Sequence, residues 1–189
     1  MERLANFTSN DDFRNDNDRE PPSLYVACLA AYNAGIHHGT WINATQECED
    51  IQEAIEQMLD ESPIRDAEEW EIHDHNFGCD IRPSEDLETL HQKALFISEY
   101  GELGIKMLDD LYEVEEAREI LEDFYQGEYA SEIDFAHHLF NERSTGVIPE
   151  HLKAYIDYRT FSSDLFISDY RSLALGNSVH IFSHSQCRS

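Results

Sequence analysis

Acidic side chains are concentrated in the middle of this chain, between Glu47 and Asp134. This segment holds 29 of the 40 acidic residues and only five basic ones, a formal charge of −24 out of −27 for all 189 residues. The residues before it carry a formal −3, and the residues after it are neutral. A charge of this size repels nucleic acid and anionic membranes, and it attracts basic partners in a salt-dependent way. We therefore expect neither a nucleic acid nor a membrane as partner.

The apolar content is high enough for packed cores despite this charge. Hydrophobic residues make up 41% and aromatic residues 11% of the chain, whereas wholesale disorder needs low hydrophobicity together with high charge. The four cysteines lie far apart without a CxxC pair, and no run approaches the ~18 apolar residues of a membrane-spanning helix. We predict a cytoplasmic protein with reduced thiols, in which a disordered tail over residues 1–20 precedes the folded part.

The first folded unit, predicted over residues 21–83, begins with the pattern of a β-hairpin. Residues Leu24–Ala31 form a continuous apolar run of strand length, and Tyr32–Gly35 supplies turn residues. A second strand carrying Trp41 is expected over residues 36–42.

A helix and a third strand follow in the same unit. The helix can be capped by Asn43 or Thr45, and Gln46 lies three residues after Asn43 as a capping box requires. Its apolar residues, from Cys48 onward, recur at helical spacing. Residues Glu68–His73 alternate between apolar and acidic side chains, which predicts a strand. We expect Trp41, Trp70 and Ile72 to fill the core of a small α+β domain with a three-stranded antiparallel sheet.

The rest of the chain is predicted to form two further domains. Residues 84–122 have a helical pattern with breaks at Gly101 and Gly104, and residues 123–189 form a C-terminal α+β domain. In that last domain we expect a helix capped by Ser131 and a terminal hairpin that turns at Gly176-Asn177. The predicted fold class is therefore α+β, arranged as an elongated rod of three domains.

Two of the predicted helices carry ladders of like charge. The first ladder consists of Glu49, Glu53, Glu56 and Asp60, and the second consists of Glu115, Glu119 and Glu122. Like charges at this spacing destabilise an isolated helix by about 0.2–0.5 kcal/mol per pair. One interpretation is a solvated or halophilic acidic face, and the other is imitation of a polyanion. Duplex DNA carries one charge per ~1.7 Å, so 24 net charges correspond to roughly 40 Å of duplex.

Three stretches of the sequence resemble the signatures of one family. Ser23–Ile42, Glu68–Asp74 and Pro149–Tyr158, the last followed by Asp164-Leu165, are similar to the signatures of the ArdA antirestriction family. They occur in the order of that family and span nearly the whole chain after the tail. His75-Asn76 stands where the family more often has a tyrosine and an acidic residue.

The resemblance implies a DNA mimic that works without catalysis or a cofactor. ArdA-type proteins are elongated three-domain proteins, carried by mobile genetic elements, that occupy the DNA-binding cleft of type I restriction-modification enzymes. They block restriction and often modification, and they form homodimers through their C-terminal domain. A dimer through parts of residues 123–189 also suits the neutral C-terminal segment of this chain, with Tyr155, Ile156 and Tyr158 as candidate interface residues.

Seventeen carboxylates of the acidic segment are expected to form the surface that imitates DNA. They are Glu47, Glu49, Asp50, Glu53, Glu56, Asp60, Glu68, Glu69, Glu71, Asp109, Asp110, Glu113, Glu115, Glu116, Glu119, Glu122 and Asp123. Because the interaction is spread over many exposed charges, the loss of a single carboxylate should have little effect.

A second interpretation from a different class uses His73, Asp74 and His75. If the strand continued regularly, His73 and His75 would share one face, and with Asp74 they would suggest a metal-dependent hydrolase. Nothing in the sequence fixes a further ligand. No Walker-type loop, GxSxG elbow or His/Cys zinc spacing accompanies the cluster.

Overall fold

The chain divides into two compact units, with the boundary in sequence between Val114 and Glu115. The computed structural model describes residues 20–82, 85–111, 113–143, 149–153 and 155–184. Apart from Glu20, the predicted tail lies outside the described residues, as does the predicted domain boundary at residues 83 and 84. The division into three domains therefore stays a prediction.

The first unit contains a three-stranded antiparallel sheet, as predicted. Its elements are β1 (Ser23–Cys28), α1 (Leu29–Asn33), β2 (Gly39–Asn43), α2 (Cys48–Asp60), β3 (Trp70–His75) and α3 (Leu87–Leu111). The strand order is β2-β1-β3, so β1 lies in the centre. Leu24, Val26 and Cys28 on β1 are fully buried, because α2 packs against β1 and β2. This central position accounts for the apolar run in the sequence.

Strand β1 is shorter than the apolar run predicted. It ends at Cys28, and residues 29–31, which were expected to continue the strand, begin helix α1. The Cys28 thiol accepts a hydrogen bond from the backbone N–H of Ala31 at 3.5 Å. Gly35 then adopts φ +76°, a conformation that glycine reaches without steric cost. A short continuous apolar run fits either a strand or a buried helix. The hydrophobic pattern alone therefore did not locate the boundary between β1 and α1.

Trp41 lies on the outer face of the sheet, and the prediction that it fills the core is wrong. It is 51% exposed, whereas its neighbour Ile42 is buried. Trp70 and Ile72 are half-buried, opposite Cys28 and Val26 on the inner face.

Helix α3 contains one of the two breaks that the sequence predicted, because Gly104 is a buried residue within the helix. Gly101 has φ 56° and ψ −133°, which lies outside the helical region and kinks the helix. The apolar faces on both sides of the kink are buried, and they include Leu90, Phe96, Leu103 and Leu108.

The second unit combines another three-stranded antiparallel sheet with helices. Its elements are α4 (Val114–Phe124), which contains the unit boundary, β4 (Tyr125–Tyr129), α5 (Glu132–Arg143), α6 (Glu150–Lys153), α7 (Tyr158–Ser168), β5 (Tyr170–Leu175) and β6 (Ser178–Ser183). The strand order is β4-β6-β5. The predicted hairpin is confirmed, with Leu175 opposite Ser178 and φ +57° at Gly176. Strand β4 and helix α7 were not predicted.

Helix α5 begins where its cap was predicted. The Ser131 hydroxyl accepts a hydrogen bond from the backbone N–H of Asp134 at 3.2 Å. Phe135, Leu139 and Ile181 are buried in the core of this unit, where α5 packs against α7.

Candidate acidic interface

Helix α2 presents carboxylates to solvent because the opposite side of the helix packs on the sheet. Ile51, Ile55 and Met58 are buried at the spacing of one helical face. The exposed side carries Glu49, Glu53, Glu56 and Asp60. No lysine or arginine occurs within this helix.

Helix α4 has the same organisation. Val114, Ala117 and Leu121 are buried, and they recur at helical spacing. The exposed positions between them carry Glu115, Glu116, Glu119, Glu122 and Asp123. The structure therefore places the second predicted ladder on a solvent-facing helix surface.

All seventeen carboxylates predicted for the acidic surface are exposed. Eleven of them belong to α2 and α4 or to the residue before α2, and the other six lie on or near β3 and α3. These six are Glu68, Glu69, Glu71, Asp109, Asp110 and Glu113. Because ordered elements carry most of these groups, their positions are set by the fold and not by loops alone.

Lys93, one of the five basic residues of the acidic segment, does not contribute to this surface. Its side chain is 1% exposed, and Nζ lies 2.8 Å from Glu85 Oε1. The sequence contained a signal for this burial, because Lys93 lies beside Ala94 and three residues after Leu90 on the apolar side of α3. The buried pair cancels its own charge and leaves the exposed carboxylates unneutralised by this lysine.

The structure separates the histidines of the hydrolase interpretation. A β-bulge leaves His73 unpaired opposite β1, so His75 lies opposite the buried Leu24. The His73 and Tyr32 rings meet edge to face, with their centroids 4.8 Å apart. The His75 ring meets the Phe77 ring in the same way, with centroids 5.8 Å apart. Within the described part of the chain, no three His, Cys, Asp or Glu side chains are grouped so as to hold a metal ion. The geometry does not support the hydrolase interpretation.

His75 instead borders a shallow cavity of about 540 Å³, also lined by Gly78, Cys79, Asp80 and Asp109. Burial raises the pKa of the Cys79 thiol to about 11, and the Asp109 carboxylate acts in the same direction. The thiol is therefore protonated near neutral pH, which makes it a poor nucleophile or metal ligand.

A second cysteine links the start of α2 to α3. The Cys48 thiol donates a hydrogen bond to Glu88 Oε2 at 3.1 Å. Partial burial and this hydrogen bond raise the pKa of Cys48 to about 11. The same hydrogen bond lowers the pKa of the Glu88 carboxyl, so Glu88 remains charged and adds to the acidic character of the segment.

The three candidate interface residues of the C-terminal part have different environments. Tyr155 is 85% exposed, and Ile156 is half-buried. The Tyr158 ring stacks on His137 with centroids 3.5 Å apart, so this side chain already packs within the unit. Ile167, which the sequence did not single out, is 78% exposed.

The fold and its surface define an acidic α+β protein whose exposed carboxylates suit a basic partner. Over the described residues, no helix combines the length and the apolar character needed to cross a bilayer. A family model described as antirestriction protein (ArdA) matches residues 24–177. The chain belongs to this family, which confirms the resemblance found in the sequence, and its function is antirestriction. No curated protein matches the sequence.

Proposed function

We propose that the chain inhibits type I restriction-modification enzymes by occupying their DNA-binding cleft as an imitation of duplex DNA. The observation that carries this proposal is that all seventeen carboxylates of the predicted surface are exposed. In the complex, these carboxylates take the place of phosphates against the lysine and arginine side chains of the cleft. Inhibition is then an equilibrium competition and involves no catalysis.

The amount of charge is sufficient for such a competition. The acidic segment carries a formal −24, which corresponds to the charge on roughly 40 Å of duplex DNA. Each exposed ion pair contributes at most about 1 kcal/mol, so the affinity arises from many contacts. Screening by salt weakens all of them together.

The absence of basic residues from α2 favours this function over a face that serves solubility alone. Exposed helix faces that maintain solubility usually intersperse both signs of charge. In α2 the ladder from Glu49 to Asp60 has no lysine or arginine beside it, although like charges at this spacing cost helix stability. A basic binding partner offsets that cost when it binds.

The proposal includes a homodimer formed through parts of residues 123–189. The segment after Asp134 is neutral, so two copies of it meet without the repulsion that two acidic segments would have. Exposed Tyr155 and Leu152 supply apolar surface for an isologous contact. Sedimentation equilibrium at micromolar concentration should give the mass of a dimer, and a monomer would contradict this part of the proposal.

The remaining parts of the proposal concern the setting in which the protein works. The site of action is the cytoplasm, where restriction enzymes meet incoming DNA, and a mobile genetic element that carries the gene gains protection. Because restriction and modification use the same DNA-binding cleft, occupation of the cleft blocks both. Three domains in a row would allow one chain to follow the path of the duplex.

Graded neutralisation of the carboxylates tests the proposal. Glu53→Gln alone should change the inhibition constant for a type I enzyme by no more than about threefold, since an exposed ion pair is weak. The combined change Glu49→Gln, Glu53→Gln, Glu56→Gln and Asp60→Asn should weaken inhibition by more than about tenfold. The measurement is the inhibition constant in a DNA-cleavage assay at fixed salt.

A matched double variant separates position from total charge. Glu53→Gln with Glu56→Gln removes the same charge as Glu142→Gln with Asp164→Asn, and all four side chains are exposed. The first pair should weaken inhibition more than the second pair. Complete loss of inhibition from one single substitution would contradict mimicry and indicate one specific contact.

A further inference from the structure

The outer face of the N-terminal sheet carries two aromatic rings that the core does not use. Trp41 on β2 lies opposite Tyr25 on β1. The two ring centroids are 5.5 Å apart, and the ring planes make an angle of 51°. Trp41 is 51% exposed, although the adjacent Ile42 is buried on the inner face. About half of the Trp41 surface is thus accessible to a partner.

The absence of a side chain at Gly39 leaves room for the Tyr25 ring. A Cβ atom at residue 39 would lie 2.5 Å from the carbonyl oxygen of Val26 and 2.9 Å from Cζ and Oη of Tyr25. These distances show that the Tyr25 ring lies across the backbone of Gly39, on the same strand as Trp41. We call Tyr25 and Trp41 the aromatic platform. Strand pairing and this close approach fix its geometry.

Two carboxylates on β3 lie on the same side of the sheet as the aromatic platform, with β1 between β3 and Trp41. Asp74 lies opposite Tyr25, and Glu71 lies opposite Ala27, the next outer-face position along β1. Both acidic residues are exposed, and Glu71 Oε2 is 3.8 Å from His73 Nε2. None of the three strands contains a lysine or an arginine. The sheet face therefore combines aromatic rings and carboxylates, and its strands supply no lysine or arginine of their own.

We infer that the aromatic platform, together with Glu71 and Asp74, is a docking site for an arginine side chain of a basic partner protein. A planar guanidinium group stacks on an aromatic ring, and its N–H groups donate hydrogen bonds to carboxylates at the edge of that ring. A lysine ammonium is a strongly hydrated point charge that lacks this planar match. The inference rests on the proposed function for the identity of the partner, a DNA-binding protein surface.

Charge decides between an arginine and the other possible occupants of this face. The segment from Glu47 to Asp134 carries a formal −24, so a nucleic acid, an anionic membrane or the acidic segment of a second copy would be repelled. An apolar segment would cover Glu71 and Asp74 without supplying hydrogen-bond donors, which is unfavourable for charged groups. An arginine side chain stacks on the rings and also donates hydrogen bonds to the carboxylates.

This site adds a chemical preference that the acidic ladders lack. Carboxylates on α2 attract lysine and arginine alike, because the interaction of exposed charges depends mainly on distance and screening. Aromatic rings and carboxylates on one face of a sheet together favour the guanidinium group. The aromatic platform therefore favours DNA-binding surfaces that place an arginine, and not a lysine, at the corresponding position.

Fluorine NMR on the full chain tests this preference. The chain has two tryptophans, so labelling with 5-fluorotryptophan gives one resonance from Trp41 and one from Trp70, which Trp41→Phe assigns. Titration with capped hexa-arginine should shift the Trp41 resonance with an affinity about fivefold higher than titration with capped hexa-lysine. The resonance of the half-buried Trp70 serves as an internal control and should not move.

Two charge-matched variants locate the site. Glu71→Gln with Asp74→Asn should reduce the arginine-to-lysine affinity ratio at Trp41 to about one. Glu49→Gln with Glu53→Gln removes the same charge from α2 and should lower both affinities while leaving their ratio unchanged. Trp41→Phe, which keeps a smaller ring, should weaken inhibition of a type I enzyme less than Trp41→Leu.

Three results would overturn the inference. The first is equal affinity of the two peptides at Trp41, and the second is a shift of both tryptophan resonances. The third is a Trp41 shift with protein concentration alone, which would identify a second copy as the occupant. The peptide titration does not use a restriction enzyme. An arginine preference at Trp41 in a chain that fails to inhibit type I enzymes would therefore refute the proposed function and leave the docking chemistry in place.

Discussion

Burial lowers the pKa of His180 below its usual value of 6.5, while the nearby Glu128 carboxylate acts in the opposite direction. His180 lies on the central strand of the C-terminal sheet and is 4% exposed. Its Nδ1 is hydrogen-bonded to the Tyr125 hydroxyl at 2.8 Å. Protonation would place a charge in this buried position, so the folded state favours the neutral ring.

We predict that His180 makes the free energy of unfolding decrease as the pH falls below 6.5. Because its folded pKa is lowered, the unfolded chain binds the proton first as the pH falls. The stabilisation is fully present above pH 6.5 and is lost as the pH falls through the folded pKa. His180→Gln should flatten this slope by up to about 1.4 kcal/mol per pH unit. Urea unfolding followed by circular dichroism measures the effect.

Equal slopes for the wild-type chain and His180→Gln would contradict the assignment of this pH dependence to His180.

At the scale of elements, helix α2 is expected to be more stable without its ladder. Glu49, in the first turn, interacts favourably with the helix dipole, whereas Asp60, in the last turn, interacts unfavourably. Glu53→Gln, Glu56→Gln and Asp60→Asn together should raise the free energy of unfolding by about 1 kcal/mol. Urea unfolding at low salt measures this change.

The same helix contains a control of opposite sign. Glu49→Gln alone should lower the free energy of unfolding by about 0.5 kcal/mol, because it removes a charge that favours the helix N-terminus. If the triple variant were also less stable, the ladder would be a stabilising feature of the fold. Its persistence would then require no binding partner.

The sequence predicted those elements whose signals are local. The capping residue Ser131 and the turn at Gly176 lie where they were expected, since both depend on a few neighbouring residues. Strand β4 (Tyr125–Tyr129) was not predicted, because its pairing with β6 joins residues far apart in sequence. Helix α7 begins after a cap at Asp157 that was not recognised. Helix α2 begins after Glu47, so the prediction of a cap at Asn43 or Thr45 is wrong.

The acidic surface was predictable for a simple physical reason. Charged side chains are rarely buried without a partner, so seventeen carboxylates in an excess of negative charge had to face solvent. The exposure of Trp41 depends on which side chains of β2 point to the outer face of the sheet when β2 pairs with β1. The separation of His73 from His75 depends on a β-bulge. Both are properties of strand pairing, which one strand alone does not encode.

For the whole molecule, the distribution of charge suits the two kinds of contact in the proposed function. The segment from Glu47 to Asp134 carries a formal −24, and the segment after it is neutral. Strong charge accelerates encounter with a basic cleft, whereas a neutral segment permits contact between copies. Neutralising carboxylates of the acidic segment should leave the contact between copies intact. Disrupting the neutral segment should leave the attraction to a basic cleft intact.

Competition between this chain and duplex DNA for a type I methyltransferase tests the central claim most directly. We predict that the apparent inhibition constant rises in proportion to the concentration of duplex DNA, as for two ligands of one cleft. At fixed DNA, the logarithm of the binding constant should fall linearly with the logarithm of salt concentration. Inhibition that depends on neither DNA concentration nor salt would contradict DNA mimicry.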